Sequence, residues 1–239
     1  MVDGKSISLC MVVYNSSDLV ERAINSVKSI VDEIIIVSQG SDEEHSKKLK
    51  ELSNVFIQTS NKGNADYDRQ FAYSLASKDF TLALDADESL EETEVDKLKQ
   101  LITDHEFDSC WFLFKNIISS NGITIDLQNI LGDDPHPRLW RSRLSINGQI
   151  IPTIEWSYEA HQFPRINSPM QVFSQIKFTH SRELENVLKT HFSRGKNISP
   201  QAQQMEKKFV KTVLDKFGEE VKKNVKIKFP EITEYLKGV

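Results

Sequence analysis

The 239-residue sequence has only two cysteines, Cys10 and Cys110, and each sits inside an apolar run. That placement suits buried free thiols and argues against a disulfide framework or a paired-cysteine metal site, which points to a cytoplasmic setting. Long apolar runs are missing as well: no stretch approaches the roughly 20 residues that cross a bilayer. The N-terminal segment "ISLCMVVY" is apolar, but it lacks the basic flank and small-residue cleavage site of a signal peptide. It reads as a strand. Internal repeats, low-complexity tracts and flexible linkers are also absent. With 38% hydrophobic and 27% charged residues, what is left is a soluble globular chain long enough to bury a sizeable core.

Charge is unevenly spread. The whole chain carries −5, yet residues 181–239 hold 13 Lys and Arg against 8 Asp and Glu, and the first 180 hold 17 against 27. Such a tail is either a solvated Lys-rich helical face or a basic surface meeting lipid head groups at the inner face of a membrane. Its lysines are interleaved with acids, which favours the solvated face. No nucleic-acid partner is expected.

Four short runs alternate with helical patterns. "ISLCMVVY" (7–14), "EIIIVS" (33–38), "NVFIQT" (54–59) and "FTLALD" (80–85) read as strands, largely covered on both faces. After the first, Asp18 is placed to cap a helix with Glu21 three positions on, and Leu19, Ala23, Val27 and Ile30 form its buried stripe. Helices at 43–52 and 67–77 follow. This alternation is the signature of a parallel sheet with crossover helices. A helix over 91–104 comes next, then "CWFLFKNII" and "ITIDLQNI" joined by "SSNG" as a hairpin. Residues 131–170 read as loop-rich, holding five of the seven prolines. "VFSQIKFTH" (172–180) is a last strand, and from Arg182 the pattern is helical, broken at Gly195, Pro200 and Gly218.

The stretch "FTLALDADESL" (80–90) concentrates the chemistry. Ligands of a parallel α/β sheet gather at the carboxyl ends of its strands, and Asp85 and Asp87 stand at such an end. In an extended chain their i, i+2 spacing turns both side chains the same way. Two neighbouring carboxylates left unpaired raise each other's pKa, and a divalent cation removes that cost. Hard oxygen ligands select Mg²⁺ or Mn²⁺, which bind through one or two carboxylates plus substrate phosphates. A ligand-free helix cap is the plain alternative, since Asp85, Asp87 and Ser89 all precede a helix. A haloacid-dehalogenase-type phosphatase is another, with the first Asp as nucleophile and "GDD" (132–134) as its later acidic motif. An EF-hand is excluded, because its sixth and twelfth positions are Leu90 and Asp96 here.

Together, "SLCMVVYNSSDLVERAINSVKSIVDEIIIVSQGSDE" and "NKGNADYDRQFAYSLASKDFTLALDADE" resemble family 2 inverting glycosyltransferases with the GT-A fold. Order, spacing and strand-end placement all agree over this first part of the chain. "PHPRLWRSRLSINGQ", "WSYEAHQ" and "KFTHSR" match more loosely, and the C-terminal helices are not covered. The resemblance implies a GT-A-type α/β domain over residues 1–180, Rossmann-like with a mostly parallel central sheet, and a helical extension over 181–239 packed on it. It implies a nucleotide diphosphate sugar donor, a UDP-sugar by default, and a hydroxyl acceptor that is a saccharide, lipid-linked or protein. By that pattern Val13, Tyr14 and Asn15 line the nucleobase pocket, and Arg69 touches the nucleotide. Asp85 contacts ribose or a metal-bound water, Asp87 binds the Mn²⁺ or Mg²⁺, and His180 adds a further metal ligand. At the end of the second strand, where the family usually has Asp, this chain has Ser38, which offers a hydrogen bond and no charge.

The chemistry agrees with the residues. A departing nucleoside diphosphate builds negative charge, which a metal held by Asp87 stabilises. Arg138 and Arg141 offer guanidinium forks for the diphosphate, or else they form salt bridges to acidic residues. A base on the opposite face of the sugar deprotonates the acceptor, and one displacement inverts the anomeric centre. Asp133, Asp134, Glu155, Glu159 and His161 are the candidates. "WSYEAH" (156–161) interleaves aromatics with a carboxylate as a sugar-binding wall does, so Glu159 is chosen ahead of Asp134. A non-catalytic nucleotide-binding module on a degenerate transferase fold is the third reading, supported by Ser38.

Overall fold

A computed structural model describes the chain except residues 62–64, 128–134, 148, 156–164, 169, 196–199 and 238–239. Four strands, β1 (Ile7–Val13), β2 (Glu33–Gln39), β3 (Val55–Thr59) and β4 (Phe80–Ala83), pair in parallel in the order β3-β2-β1-β4. Every residue of β1 is buried, as a continuous apolar strand in mid-sheet requires. Its alternation feeds two cores. Leu9 and Met11 join Ile36, Phe80, Leu82 and Phe112, while Cys10 and Val12 join Ile35, Val37, Ala83 and Trp140. Both cysteines are free and buried, and burial pushes the Cys110 thiol up to about 12 and that of Cys10 further.

Helices α1 (Ser17–Val27), α2 (Glu43–Leu52) and α3 (Asp66–Ser74) make the crossovers. Asp42 caps α2, its carboxylate accepting the backbone N–H of His45 at 2.9 Å. The start of α1 differs from expectation. Asp18 lies in the first turn rather than at the cap, exposed and paired with Lys48 at 2.5 Å. The buried stripe runs Val20, Ala23, Ile24 and Val27, and Leu19, 100° round the helix from Val20, is 41% exposed.

Beyond β4 come β5 (Glu88–Ser89) and α4 (Glu92–Asp104). The hairpin of β6 (Ser109–Ser120) and β7 (Ile123–Asp126) forms as expected, closed by Asn121 and Gly122. Both turn residues have positive φ, 50° and 78°, which a tight two-residue hairpin loop demands. The region read as loop-rich holds a central strand instead. Strand β8 (His136–Arg141) lies between β4 and β6, antiparallel to both, with residues 137–140 buried. Pro137 has no N–H to give to the ladder, and the register of β6 shifts between Cys110 and Trp111 where it meets that proline.

Two short antiparallel pairs follow: β9 (Leu144–Ile146) with β10 (Gln149–Ile151), and β11 (Ile154–Glu155) with β12 (Arg165–Ile166). The long strand β13 (Gln171–Glu183) completes the large sheet, whose order is β3-β2-β1-β4-β8-β6-β13-β5, with β7 beside β6. Helices α5 (Leu184–Gly195), α6 (Pro200–Phe217), α7 (Glu219–Lys228) and α8 (Pro230–Tyr235) end the chain. The α/β class, the mostly parallel GT-A-type sheet and the helical C-terminal extension are those expected.

The chain divides into two compact units, residues 1–114 with 133–179, and residues 115–132 with 180–239. The helical unit thus takes in hairpin residues upstream of 180, and has its own core around Ile118, Leu188, Val213, Phe217 and Val225. Among the described residues no helix is long and apolar enough to cross a membrane.

Candidate active site

The carboxyl ends of β1 and β2 are joined by neutral hydrogen bonds. Ser38, fully buried, donates through Oγ to Ser41 Oγ at 2.7 Å, and that hydroxyl oxygen accepts the backbone N–H of Asn15 at 3.0 Å. Asn15 has φ 40° and accepts the Asp42 N–H through Oδ1 at 3.0 Å. Beside it Val13 is buried and Tyr14 is 50% exposed. Gly40, at φ 70°, leaves room for Asn61, whose backbone nitrogen a Cβ there would meet at 3.0 Å. Ser38 therefore braces the loop with its hydroxyl.

A further bond set was not legible in the sequence. Asp68, buried on α3, accepts from Gln39 Nε2 at 2.9 Å and from Thr59 Oγ1 at 2.8 Å, fastening α3 to the ends of β2 and β3. Buried acids need such donors.

At the end of β4 the chemistry becomes ionic. The chain is not extended through the acidic pair: it leaves the ladder after Ala83 and turns, with the Glu88 N–H donating to the Asp85 carbonyl at 3.0 Å. Ala86 and Asp87 form the tip of this turn. Asp85 meets two arginines. Arg69 Nη2 donates to Asp85 Oδ1 at 2.7 Å while its Nε donates to Asp66 Oδ1 at 2.9 Å. Arg138 Nη2 donates to Glu88 Oε1 at 2.5 Å and reaches Asp85 Oδ2 at 3.4 Å. Glu88, 1% exposed, accepts the Asp85 N–H on its other oxygen at 3.0 Å. The result is an alternating row, Asp66, Arg69, Asp85, Arg138, Glu88. Burial works against both guanidinium cations, but the facing carboxylates outweigh it and hold Arg138 above, and Arg69 well above, the ordinary arginine value.

Several expectations change on this geometry. None of Asp85, Asp87 and Ser89 caps α4, which starts from Glu91 without a side-chain cap, so the ligand-free cap reading fails. Arg138 is 6% exposed and turned to carboxylates, so it serves the acidic turn instead of offering a fork to a diphosphate. Arg141 lies opposite Phe80, at the far end of β4 from Asp85, paired with Glu106 at 2.5 Å and Asp108 at 3.2 Å. Its salt-bridge alternative is the one observed. His180 lies on β13 in the helical unit, its Nδ1 3.0 Å from Asn116 Oδ1. Among the described residues no three His, Cys, Asp or Glu side chains are grouped to hold a metal. Asp133, Asp134, Glu159, His161 and the "GDD" and "WSYEAH" stretches lie outside the described residues, as does the side chain of Glu155.

Comparison with known proteins agrees with the sequence resemblance. An uncharacterized glycosyltransferase of Rickettsia prowazekii is 35% identical over 104 residues, which are 44% of this chain and 35% of that protein. A TPR repeat-containing protein of Synechococcus elongatus is 34% identical over 84 residues, 35% of this chain and 21% of that protein. The chain thus matches about a third or less of the length of these curated relatives. Among solved structures, Staphylococcus aureus TarS 1–349 aligns over 57% of this chain and 47% of its own, with 18% identity and a TM-score of 0.42. Glucosyl-3-phosphoglycerate synthase from Mycobacterium tuberculosis, solved with Mn²⁺ and UDP-glucose, aligns over 49% and 45%, with 17% identity and a TM-score of 0.37. The model of glycosyl transferase family 2 matches residues 8–163, most of the chain, and the protein belongs to that family.

Proposed function

We propose that the protein moves a sugar from a nucleoside diphosphate sugar, UDP-linked by default, to a hydroxyl acceptor, with inversion and with Mg²⁺ or Mn²⁺. The observation that carries this reading is the Asp85–Glu88 turn at the carboxyl end of β4, gripped by the buried Arg138 and the partly buried Arg69. Family membership sets aside the phosphatase alternative.

In this reading each residue of the edge has one task. Asp85, its carboxylate fixed by Arg69 and Arg138, accepts a hydrogen bond from the donor's ribose or from a metal-bound water. Asp87, half-buried at the tip of the turn, is the metal carboxylate. One such carboxylate suits a Mg²⁺-type ion, which takes one or two protein carboxylates and completes its shell with phosphate oxygens and water. A metal bound there supplies positive charge to the leaving diphosphate. Val13, Tyr14 and Asn15 line the base, with the Tyr14 ring as a stacking face. Glu159, with Asp134 behind it, takes the acceptor's proton. His180 is kept as a second metal candidate, since a contact like that of Nδ1 with Asn116 commonly orients a metal-binding imidazole. Residues 1–180 are the catalytic part in this reading. The acceptor is a saccharide, lipid-linked or protein hydroxyl, and the interleaved lysines and acids of 181–239 make a solvated face.

Thermal stabilisation by a panel of nucleoside diphosphates and their sugars, with and without Mn²⁺, tests the reading. A ligand at a hundred times its Kd adds about 2.7 kcal/mol by mass action. Asp87→Asn should leave the ligand-free melting temperature unchanged and abolish both the Mn²⁺-dependent stabilisation and turnover. Wild-type turnover in this variant, or full turnover of the native enzyme in excess EDTA, would remove the metal from the mechanism.

A further inference from the structure

We infer that Glu88 and Arg138 form a clamp that positions the Asp85–Asp87 turn for the incoming donor. Both act as positioning residues and neither touches the sugar. The inference rests on the proposed function and assigns two residues that the donor itself does not need to meet.

Three observations carry it. First, Glu88 uses both oxygens on the turn and its brace: Oε2 accepts the Asp85 N–H at 3.0 Å and Oε1 accepts from Arg138 at 2.5 Å. The carboxylate therefore fixes the backbone at the entrance to the turn, two bonds from the Asp85 side chain. Second, Arg138 is held from several sides. Its guanidinium bridges Glu88 and Asp85 and lies 5.2 Å from the centre of the Phe114 ring, and the next residue, Leu139, is paired on both edges of β8, with Leu82 and with Cys110. Third, an ion pair this deep is a poor device for stability alone, because apolar residues of the same volume commonly do as well or better. Its value lies in direction. Arg69 and Arg138 take the two oxygens of Asp85 from two sides, so that carboxylate cannot swing to share a cation with Asp87. The Asp85 carboxylate is thereby locked to the protein at the entrance to the turn whose tip carries Asp87.

Calorimetric titration separates positioning from mere support. The probe is UDP, or whichever of UDP, GDP, CDP and ADP binds the wild type most tightly, titrated with Mn²⁺ and again with EDTA. Glu88→Gln keeps an acceptor for the Asp85 N–H but removes the charge opposite Arg138. It should raise the Kd with Mn²⁺ at least tenfold and change the Kd in EDTA less than twofold. The double variant Glu88→Gln/Arg138→Met removes both charges and should regain a melting temperature close to the wild type. Its Mn²⁺-dependent affinity should stay at least tenfold weakened, because nothing then holds Asp85 from the second side. A double variant that recovers affinity along with stability overturns the clamp, as does Glu88→Gln binding like the wild type. A wild type whose nucleotide binding ignores Mn²⁺ overturns the proposed function itself, a failure seen before any variant is made.

Discussion

The two ends of β8 carry the same residue type three positions apart, and the protein uses them in opposite ways. Arg138 is 7% exposed in its side chain and faces Glu88 and Asp85, whereas Arg141 is 31% exposed and faces Glu106 and Asp108. The irregular register beside Pro137 breaks simple alternation, and both guanidiniums lie over rings of one core, Arg138 over Phe114 and Arg141 over Phe80. The antiparallel register with β4 then separates them along its length. Leu139 stands opposite Leu82, which carries Arg138 toward the acidic turn, and Arg141 stands opposite Phe80 at the other end. One arginine became part of the site and the other braces the periphery. Position in the ladder, not residue type, decides between them.

That contrast has measurable limits. The largest effect is expected for Arg138→Met alone. It leaves Glu88 buried at 1% exposure without its cation, and breaking a buried pair from one side costs about 3–5 kcal/mol. Urea unfolding would show it as a lower midpoint with an unchanged slope, and a loss under about 1 kcal/mol would place Arg138 in the same class as Arg141. Arg141→Gln is the small counterpart. A partly exposed pair contributes roughly 0–1 kcal/mol, and its share should vanish in 1 M salt, where charges are screened within about 3 Å. Nucleotide binding should not respond to it at all. Loss of nucleotide affinity in Arg141→Gln would erase the distinction between the two ends.

The same strand shows where a sequence stops being legible. The strands β1 and β2 announce themselves because both faces are largely apolar, and a run such as "ISLCMVV" has one small polar residue, Ser8, among six apolar ones. Strand β8 has Pro137, Arg138 and Arg141 within six residues, and each is a normal signal against a central strand. What overrides those signals is nonlocal: Glu88 lies fifty residues before Arg138 and neutralises it, and a shifted register in β6 accommodates the proline. The place of the acidic pair at a strand end was legible, but not its geometry, since nothing in "DADE" says that the chain turns there. Ser38 was read from the family pattern as a weaker contact to a base. Its partner Ser41 is only three residues away, yet a hydroxyl's direction cannot be taken from spacing. Leu19 failed for a simpler reason: the stripe centres on Val20, Ala23, Ile24 and Val27, and Leu19, about 40° round from Ala23, falls at its exposed edge.

The insertion of β8 also sets an order of assembly. Strands β1, β2 and β3 pair through short crossovers, Ser8 with Glu33 and Ile35 with Val55, so their contacts close early. Leu139 lies 57 positions after Leu82, which itself lies 73 positions after its β1 partner Leu9, and both loops are costlier to close. Until β8 arrives, β4 is an open edge with unpaired N–H and C=O groups, the kind of surface that recruits other chains. Pulsed hydrogen exchange during refolding should therefore find amides of β1 and β2 protected before those of residues 136–141, and simultaneous protection would contradict this order. The acidic turn then acquires its second arginine only once β8 has paired with β4, so its charge pattern matures after the first strands have joined.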